Sequence, residues 1–554
     1  MSSDGRVVLD GVDMKLGDEL ALIDSLNDDD DDPVSVFPAL TQPLPQSSLP
    51  APQAGHGAHW RGVLAAIDIG SNSIRLELAQ IREGEYRRIA YLKDMVRLGG
   101  GLDEQGRLSP DAMARGLACL ARFRQRLGGL PATQLRAVAT QTLREASNRD
   151  EFLARAEAEL GYPIEVISGR EEARLIYAGV SRLEPSPHAR LVVDIGGRST
   201  ELIVGQGQTP RLAESFQIGS VSLSERFFPQ GRCTELAFRQ ARTAAGAELE
   251  EALQAFSHVR WSDALGSSGT ASAVSQLLEA HGRSDGTITP EGLRWLIRQC
   301  VAAGSMQALK LEGLRDERRA VLPGGLAILA ALFDEFGIAE LRPTRAALRQ
   351  GVIFDLAERI RARREPDSLG WRDETVAELQ QRFHVDLVQA ARVQALALAL
   401  FDQLVPAPAL ESRQELAWAA ALHEIGMSVS HHDHHRHSAY LLAHIDAPGF
   451  SQSQQRRIAD VVLGQRGGLR KIEHLLAQPQ RAAQVLALRL AVLLCHARCD
   501  LQDAAPAVAA EGVQVRLALP ASWGQANPRA MYLLREEAQA WARAGDLVLK
   551  LLDS

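Results

Sequence analysis

Two aspartates in this chain stand in nearly the same setting. Asp68 closes the apolar run "VLAAID" and Asp194 closes "LVVD", and each is followed by Ile-Gly, a short polar turn and a second apolar run. They lie 126 residues apart, and that offset also places Ser73 over Ser199 and Leu76 over Leu202. A strand that ends in aspartate and turns through glycine and serine offers two kinds of chemistry together. The turn amides point inward as an anion nest, which glycine lets a phosphate approach closely, while the carboxylate handles a cation. Gly70, Ser71, Asn72 and Ser73 form the first such turn, and Gly196, Gly197, Arg198 and Ser199 the second. Mg²⁺ takes few carboxylate oxygens and fills its other positions with water and substrate phosphate, so Asp68 and Asp194 on facing loops suit a metal-phosphate complex.

A third turn, "GSSGTASA" from Gly266 to Ala273, follows a strand and opens a helix, where free amides and the helix dipole favour a phosphate near Ser268, Gly269 and Thr270. A plain helix cap by serine or threonine is the alternative. Glu171 and Glu172 follow Ser168-Gly169 at another strand-to-helix junction, and of two consecutive helical residues only one faces a given site. Arg144, just after the strand "QLRAVAT", is placed to reach a phosphate with its planar fork or to pair with Glu145 or Asp150.

The elements that must position these groups follow an α/β grammar. "VLAAIDIG", "IRLELAQI" and "YRRIAYLKDMVRL" read as strands, and "SPDAMARGLACLARFRQRL" as a helix with a Ser109 cap and proline at its first position. "QLRAVAT" and "PIEVIS" continue the sheet, and "GREEARLIYAGV" opens a helix. At Arg190 the same order restarts, as expected for duplication of one domain with the two copies facing each other. The resulting divisions are 61–180 and 181–360 for the two copies, 361–520 for a mainly helical domain and 521–554 for a C-terminal helical segment. Residues 1–60 hold eleven acids against two bases, in a chain whose net charge is only −8, and with "NDDDDDP" and a proline-rich stretch they read as an extended, disordered tail. No apolar run approaches the ~18 residues that span a bilayer, and the start lacks the features of a secretory leader. Five sparse cysteines without a CxxC pair suit a reducing cytoplasm, and Cys495 and Cys499 around His496 fit core packing better than a metal clasp.

Taken together, Asp68–Ser73, Asp194–Glu201, "SGREEARLIYAG" and "GSSGT" resemble the exopolyphosphatase and guanosine pentaphosphate phosphohydrolase family. The likeness runs from about residue 63 to 550 and includes "LPGGLAIL", "ALRQGVIFDL" and "LHEIG…HRHSAYLL". It implies the fold of actin, heat-shock chaperones and sugar kinases: two ribonuclease-H-like domains closing on a phosphate chain, then a helical domain similar to a degenerate His-Asp metal phosphohydrolase. It further implies Mg²⁺-dependent, processive removal of terminal phosphates from inorganic polyphosphate, with guanosine pentaphosphate as a second substrate, by a cytoplasmic homodimer that has no nucleic-acid partner and no integral membrane segment.

By this resemblance Glu172 is the general base and Glu171 structural, Arg144 binds phosphate, and Asp68, Asp194 and Glu201 serve the metal. The chain departs from the family in having Arg198 where a third glycine is usual. If the position needs a positive φ the arginine is strained, and if not it adds a contact to the polyanion; on the second reading Arg198→Gly changes KM more than kcat. The sixteen residues from His423 to Ser438 hold six histidines, but Glu424 stands where the metal hydrolases place aspartate, so substrate binding or dimer formation is the expectation for this region, with metal at His423, His431, His435 and His437 as the lesser alternative. Competing readings are a kinase of the same superfamily, with "LPGGLAIL" as its nearest candidate for an adenosine pocket, and a catalytically weakened phosphate-chain or nucleotide sensor.

Overall fold

The structure is a computed structural model, described for residues 6–9, 12–15, 62–82, 84–364, 370–501, 506–544 and 547–553. Residues up to Gly55 form a unit of their own, in which Arg6–Leu9 pairs antiparallel with Val12–Lys15. The remaining expectation for the acidic segment lies outside the described residues.

Beyond it, the first lobe has strands β1 (Leu64–Ile69), β2 (Ile74–Arg82), β3 (Glu85–Asp94), β4 (Leu135–Ala139) and β5 (Ile164–Val166). The second has β6 (Ala189–Ile195), β7 (Thr200–Gln206), β8 (Thr209–Phe216), β9 (Asp263–Ser267) and β10 (Arg342–Pro343). The sheet orders are β3-β2-β1-β4-β5 and β8-β7-β6-β9-β10. In each, the first three strands are antiparallel and the last two join in parallel, so the duplication holds strand by strand. Packing repeats it too. Ala65, Ile67 and Ile69 face the first lobe's own core, while Leu191, Val193 and Ile195, each 126 residues on, face the second lobe's core. The alternate residues Ala66 and Val192 turn instead to a shared layer between the sheets, as the twofold period of a strand requires.

That shared layer is made by α1 (Gly169–Leu183) and, after α2 (Ser268–Ala280) of the second lobe, α3 (Leu348–Arg364). The two helices of the layer cross at glycines. A Cβ on Gly351 would stand 1.7 Å from the Leu175 carbonyl oxygen, and one on Gly179 would stand 2.7 Å from that of Ala347. Both helices run through the expected divisions at 180/181 and 360/361.

The third region begins with α4 (Trp371–Arg382) and is mainly helical to Leu494. Its single core joins Val393, Phe401, Val462 and Val485 to Leu517, Leu534, Trp541 and Leu549, so the residues on both sides of 520/521 pack together. The sequence reading of the last residues as helix needs correction: Val548–Asp553 is a strand, parallel to Gln514–Leu519, which also pairs antiparallel with Ala507–Glu511. Strand pairing outweighs the weak helical pattern of this short Leu/Val run. Among the described residues no helix is long and apolar enough to cross a membrane.

Candidate active site

Each aspartate-bearing turn is closed by one backbone bond at the same place: Gly70 N–H donates to Ser73 O at 3.2 Å, and Gly196 N–H to Ser199 O at 2.9 Å. The first turn is braced by Gly99 N–H to Ser71 O (2.8 Å), and the second by Ser220 N–H to Gly196 O (2.9 Å), from the start of helix Ser220–Phe227. The third turn is tied to the second through Thr270, whose hydroxyl donates to Ile195 O at 3.2 Å. At the head of α2, Ser268 has φ +92°, a conformation that costs a non-glycine residue energy, and its buried hydroxyl has no protein partner. Strain and an unpaired hydroxyl at a loop tip mark a place prepared for a ligand.

The three turns line one cleft of about 90 Å³. Its walls hold Asp68, Gly70, Ser71, Asn72 and Ser73 from the first lobe; Asp194, Gly196, Gly197 and Ser199 from the second; Ser268, Gly269 and Thr270 from the third turn; and Glu172 from the head of α1. Asp68 and Asp194 therefore face one space. Arg144, Arg198 and Glu201 do not line it.

Arg144 is engaged with protein rather than with the cavity. Its Nη1 donates to Glu172 Oε2 and to Ile167 O, both at 2.9 Å, and its other nitrogens donate to Gln141 Oε1 at 2.9 and 2.6 Å. It thus orients Glu172 and pairs with neither Glu145 nor Asp150. Arg198 crosses to the first lobe, donating to Glu145 Oε2 at 2.9 Å and to Gly99 O at 3.3 Å, and its φ is not among the positive ones. The second turn accepts a side chain there without strain. Glu201 is 1% exposed, opposite Asp194 in the β6/β7 register as Arg75 is opposite Asp68, and it accepts from Ser215 Oγ at 2.9 Å.

The buried acids raise one another's proton affinity. Burial pushes Glu172 up to about 7, against the pull of Arg144 and with help from the Asp68 and Asp194 charges. Burial, then Glu172 and Asp194, hold Glu201 well above the usual carboxylate range, and burial raises Asp194 too. Among the described residues no group of three or more His, Cys, Asp or Glu side chains is arranged to hold a metal by itself. What the cleft offers is an all-oxygen donor pair, Asp68 and Asp194, beside anion nests, a set that fits a hard cation completed by water and phosphate.

Cations to which the sequence reading gave no role also converge. Arg318 lines the cleft, its guanidinium lying where a Cβ on Gly269 would stand, and Arg75 and Arg349 approach Asp68 Oδ2 at 3.6 and 3.8 Å. Burial and then the Arg75 charge lower the proton affinity of Arg318; burial and then Arg318 lower that of Lys93. Such mutual repulsion is a measure of how much positive charge awaits an anion here. The signal in the sequence was Gly269, whose missing side chain makes room for Arg318.

Elsewhere, His423 Nδ1–H donates to Ala420 O at 2.7 Å and Glu424 is held by Arg498 at 2.7 Å, so the residues that would begin a metal site are engaged in packing. Cys495 is buried and Cys499 exposed, both as free thiols. In "LPGGLAIL", a Cβ on Gly324 would meet Ser220 O at 2.4 Å and one on Gly325 would meet Thr270 Cγ2 at 2.6 Å, so these glycines serve close packing behind the turns.

The Ppx/GppA phosphatase family model matches residues 78–360, and the model of domain III of Ppx/GppA phosphatases matches residues 371–538. A guanosine-5′-triphosphate,3′-diphosphate pyrophosphatase from Aeromonas hydrophila is 38% identical over 472 residues, covering 84% of this chain and 94% of that protein. The solved exopolyphosphatase from Cytophaga hutchinsonii covers 54% of this chain and 98% of its own, at 24% identity and a TM-score of 0.50, and shares the two-lobed fold. With two duplicated lobes, three glycine-bearing turns in one cleft and both family models matched, the chain belongs to the Ppx/GppA phosphatase family, enzymes that hydrolyse phosphoanhydride bonds.

Proposed function

We propose that this protein removes the terminal phosphate from linear phosphate chains with the help of Mg²⁺, acting on inorganic polyphosphate and on the 5′ end of guanosine pentaphosphate. The observation that carries the reading is that Asp68, Asp194 and Glu172 line one cleft with all three turns. The two substrates share a linear phosphoanhydride end, and the Aeromonas and Cytophaga relatives are named for one each.

In this mechanism the turn amides and the free Ser268 hydroxyl hold the chain end, and Arg75 and Arg318 offset its charge. Glu172, aimed by Arg144, takes a proton from water as the water oxygen bonds to the terminal phosphorus. The bond from that phosphorus to the bridging oxygen breaks, orthophosphate leaves, and the shortened chain keeps the electron pair. Asp68 and Asp194 would hold Mg²⁺, which when bound supplies charge neutralisation along the phosphates. Glu201, buried beside Glu172 and Asp194, supports both groups from behind. Free cysteines throughout the described chain suit a cytoplasmic setting.

The test is Mg²⁺-dependent orthophosphate release from long-chain polyphosphate and from guanosine pentaphosphate, with no ATP or acceptor present. Wild type should release phosphate from both, and Glu172→Ala should lose about 10²–10⁴-fold in kcat, the span of a general base. Transfer only in the presence of an acceptor would make the protein a kinase. Binding of either substrate without turnover would make it a sensor.

A further inference from the structure

We propose that the helical domain positions the catalytic base, through Glu171 and the segment Asp446–Ser451. This rests on the reading of Glu172 as the base. Glu171 points away from the cleft and is 0% exposed. Its Oε2 accepts the Gly449 N–H at 2.7 Å, from the other domain, and both oxygens accept from Arg174 at 2.7 and 2.9 Å. Gly449 has φ +87°, a conformation that favours glycine, and a Cβ there would make a tight 3.0 Å contact with Arg372 Cγ. The same segment is fixed within the helical domain by the Thr375 hydroxyl, which donates to Pro448 O at 2.8 Å.

A second route runs beside the first. Ser451 makes an antiparallel bridge to Ile167, the residue whose carbonyl holds Arg144, and Arg144 in turn holds Glu172. The base is therefore located at its backbone by the neighbouring Glu171 and at its carboxylate by Arg144, and both locators are tied to one short segment of the helical domain. Arg170, on the other side of Glu171, pairs with Asp446 at 3.5 Å.

Because these contacts lie behind the base and touch no part of the cleft, loosening them should impair the chemical step and spare substrate binding. Glu171→Gln keeps an oxygen for the Gly449 N–H, and Glu171→Ala does not. Steady-state phosphate release from polyphosphate, normalised to folded enzyme, should show kcat reduced about 10-fold in Glu171→Gln and about 10²-fold in Glu171→Ala, as for a small misplacement of a reacting group, with KM within twofold. Should Glu171 variants fail to fold, Thr375→Val, nearly isosteric and confined to the helical domain, decides; it should lower kcat about 3-fold at constant KM. Folded Glu171→Gln and Thr375→Val with wild-type kcat, or with KM and kcat altered together, would overturn the proposal. Glu172→Gln measured alongside separates the two failures: if it retains full activity, the assignment of the base itself is wrong, whereas an inactive Glu172→Gln with unaffected positioning variants removes only the coupling.

Discussion

Glu172 is poised between two demands. A base must be unprotonated to act, yet burial and the Asp68 and Asp194 charges push this carboxyl up to about 7, with Arg144 opposing them. kcat/KM should therefore fall as pH drops through about 7, and Mg²⁺ bound nearby should move that limb to lower pH; a profile flat from pH 5 to 8 would remove Glu172 from the base role. The same shift has a cost in stability. A carboxyl whose folded proton affinity exceeds its unfolded one contributes fully below the unfolded value, near 4.5, and loses that contribution as pH rises through 7. Glu172→Gln should consequently raise Tm at pH 8, more than at pH 4, while abolishing turnover, and scanning calorimetry at the two pH values checks it. Arg198 presents the reverse case: a residue expected to meet substrate is occupied with Glu145 and Gly99. Arg318, lying over Gly269 in the cleft, is the cation placed to meet it instead. Arg318→Ala should raise KM for polyphosphate about 10-fold or more with kcat within about threefold, and that KM should lose part of its salt dependence. Equal KM values would show that the chain end is held without it.

At the scale of elements, the lobes depend on how closely α1 and α3 cross. With Leu175 O only 1.7 Å from where a Gly351 Cβ would lie, one added methyl must push the helices apart. Gly351→Ala should destabilise by about 1–3 kcal/mol, the range for overpacking, despite alanine's better helix propensity; urea unfolding that finds it neutral or stabilising would mean the crossing relaxes freely. The duplication was legible in the sequence because a strand-turn-strand unit writes its pattern locally: alternation, aspartate, glycine, small polar turn. The turns, and the two aspartates facing one space, could be read for that reason. What the sequence withheld is what only tertiary approach creates. Arg318 enters from a short helix far along the chain, Arg349 comes from α3, and Arg144 and Arg198 satisfy nearby protein groups instead of the phosphate that their chemistry suits. Val548–Asp553 took strand form only because Gln514–Leu519 offered a parallel edge.

Over the whole molecule, the lobes and the helical domain meet at a buried ionic knot. Asp355 on α3 accepts from Arg136 at 2.8 Å, from Arg174 at 2.5 Å and from Arg359 at 2.6 Å, while Arg359 also donates to Gly449 O at 3.0 Å. One carboxylate thus serves guanidiniums from β4, α1 and α3, and the same guanidiniums reach Glu171 and the segment behind the base. Burial alone would raise the Asp355 proton affinity, but Arg359, Arg136 and Arg174 outweigh it and hold the group far below the ordinary carboxylate range. Asp355→Asn leaves the buried Arg136 and Arg174 and the half-buried Arg359 short of a counter-charge, and breaking such a buried pair costs about 3–5 kcal/mol. Since the depressed carboxyl contributes fully above the unfolded value, near 3.8, and loses its contribution as pH falls below it, the gap in stability between wild type and variant should be constant from pH 5 to 8 and shrink under stronger acid. Denaturant unfolding followed from pH 8 down into strong acid, below the unfolded value, measures the gap directly. A gap that does not change with pH would mean that Asp355 acts through shape and hydrogen bonding, and that charge does not hold the three regions to one another.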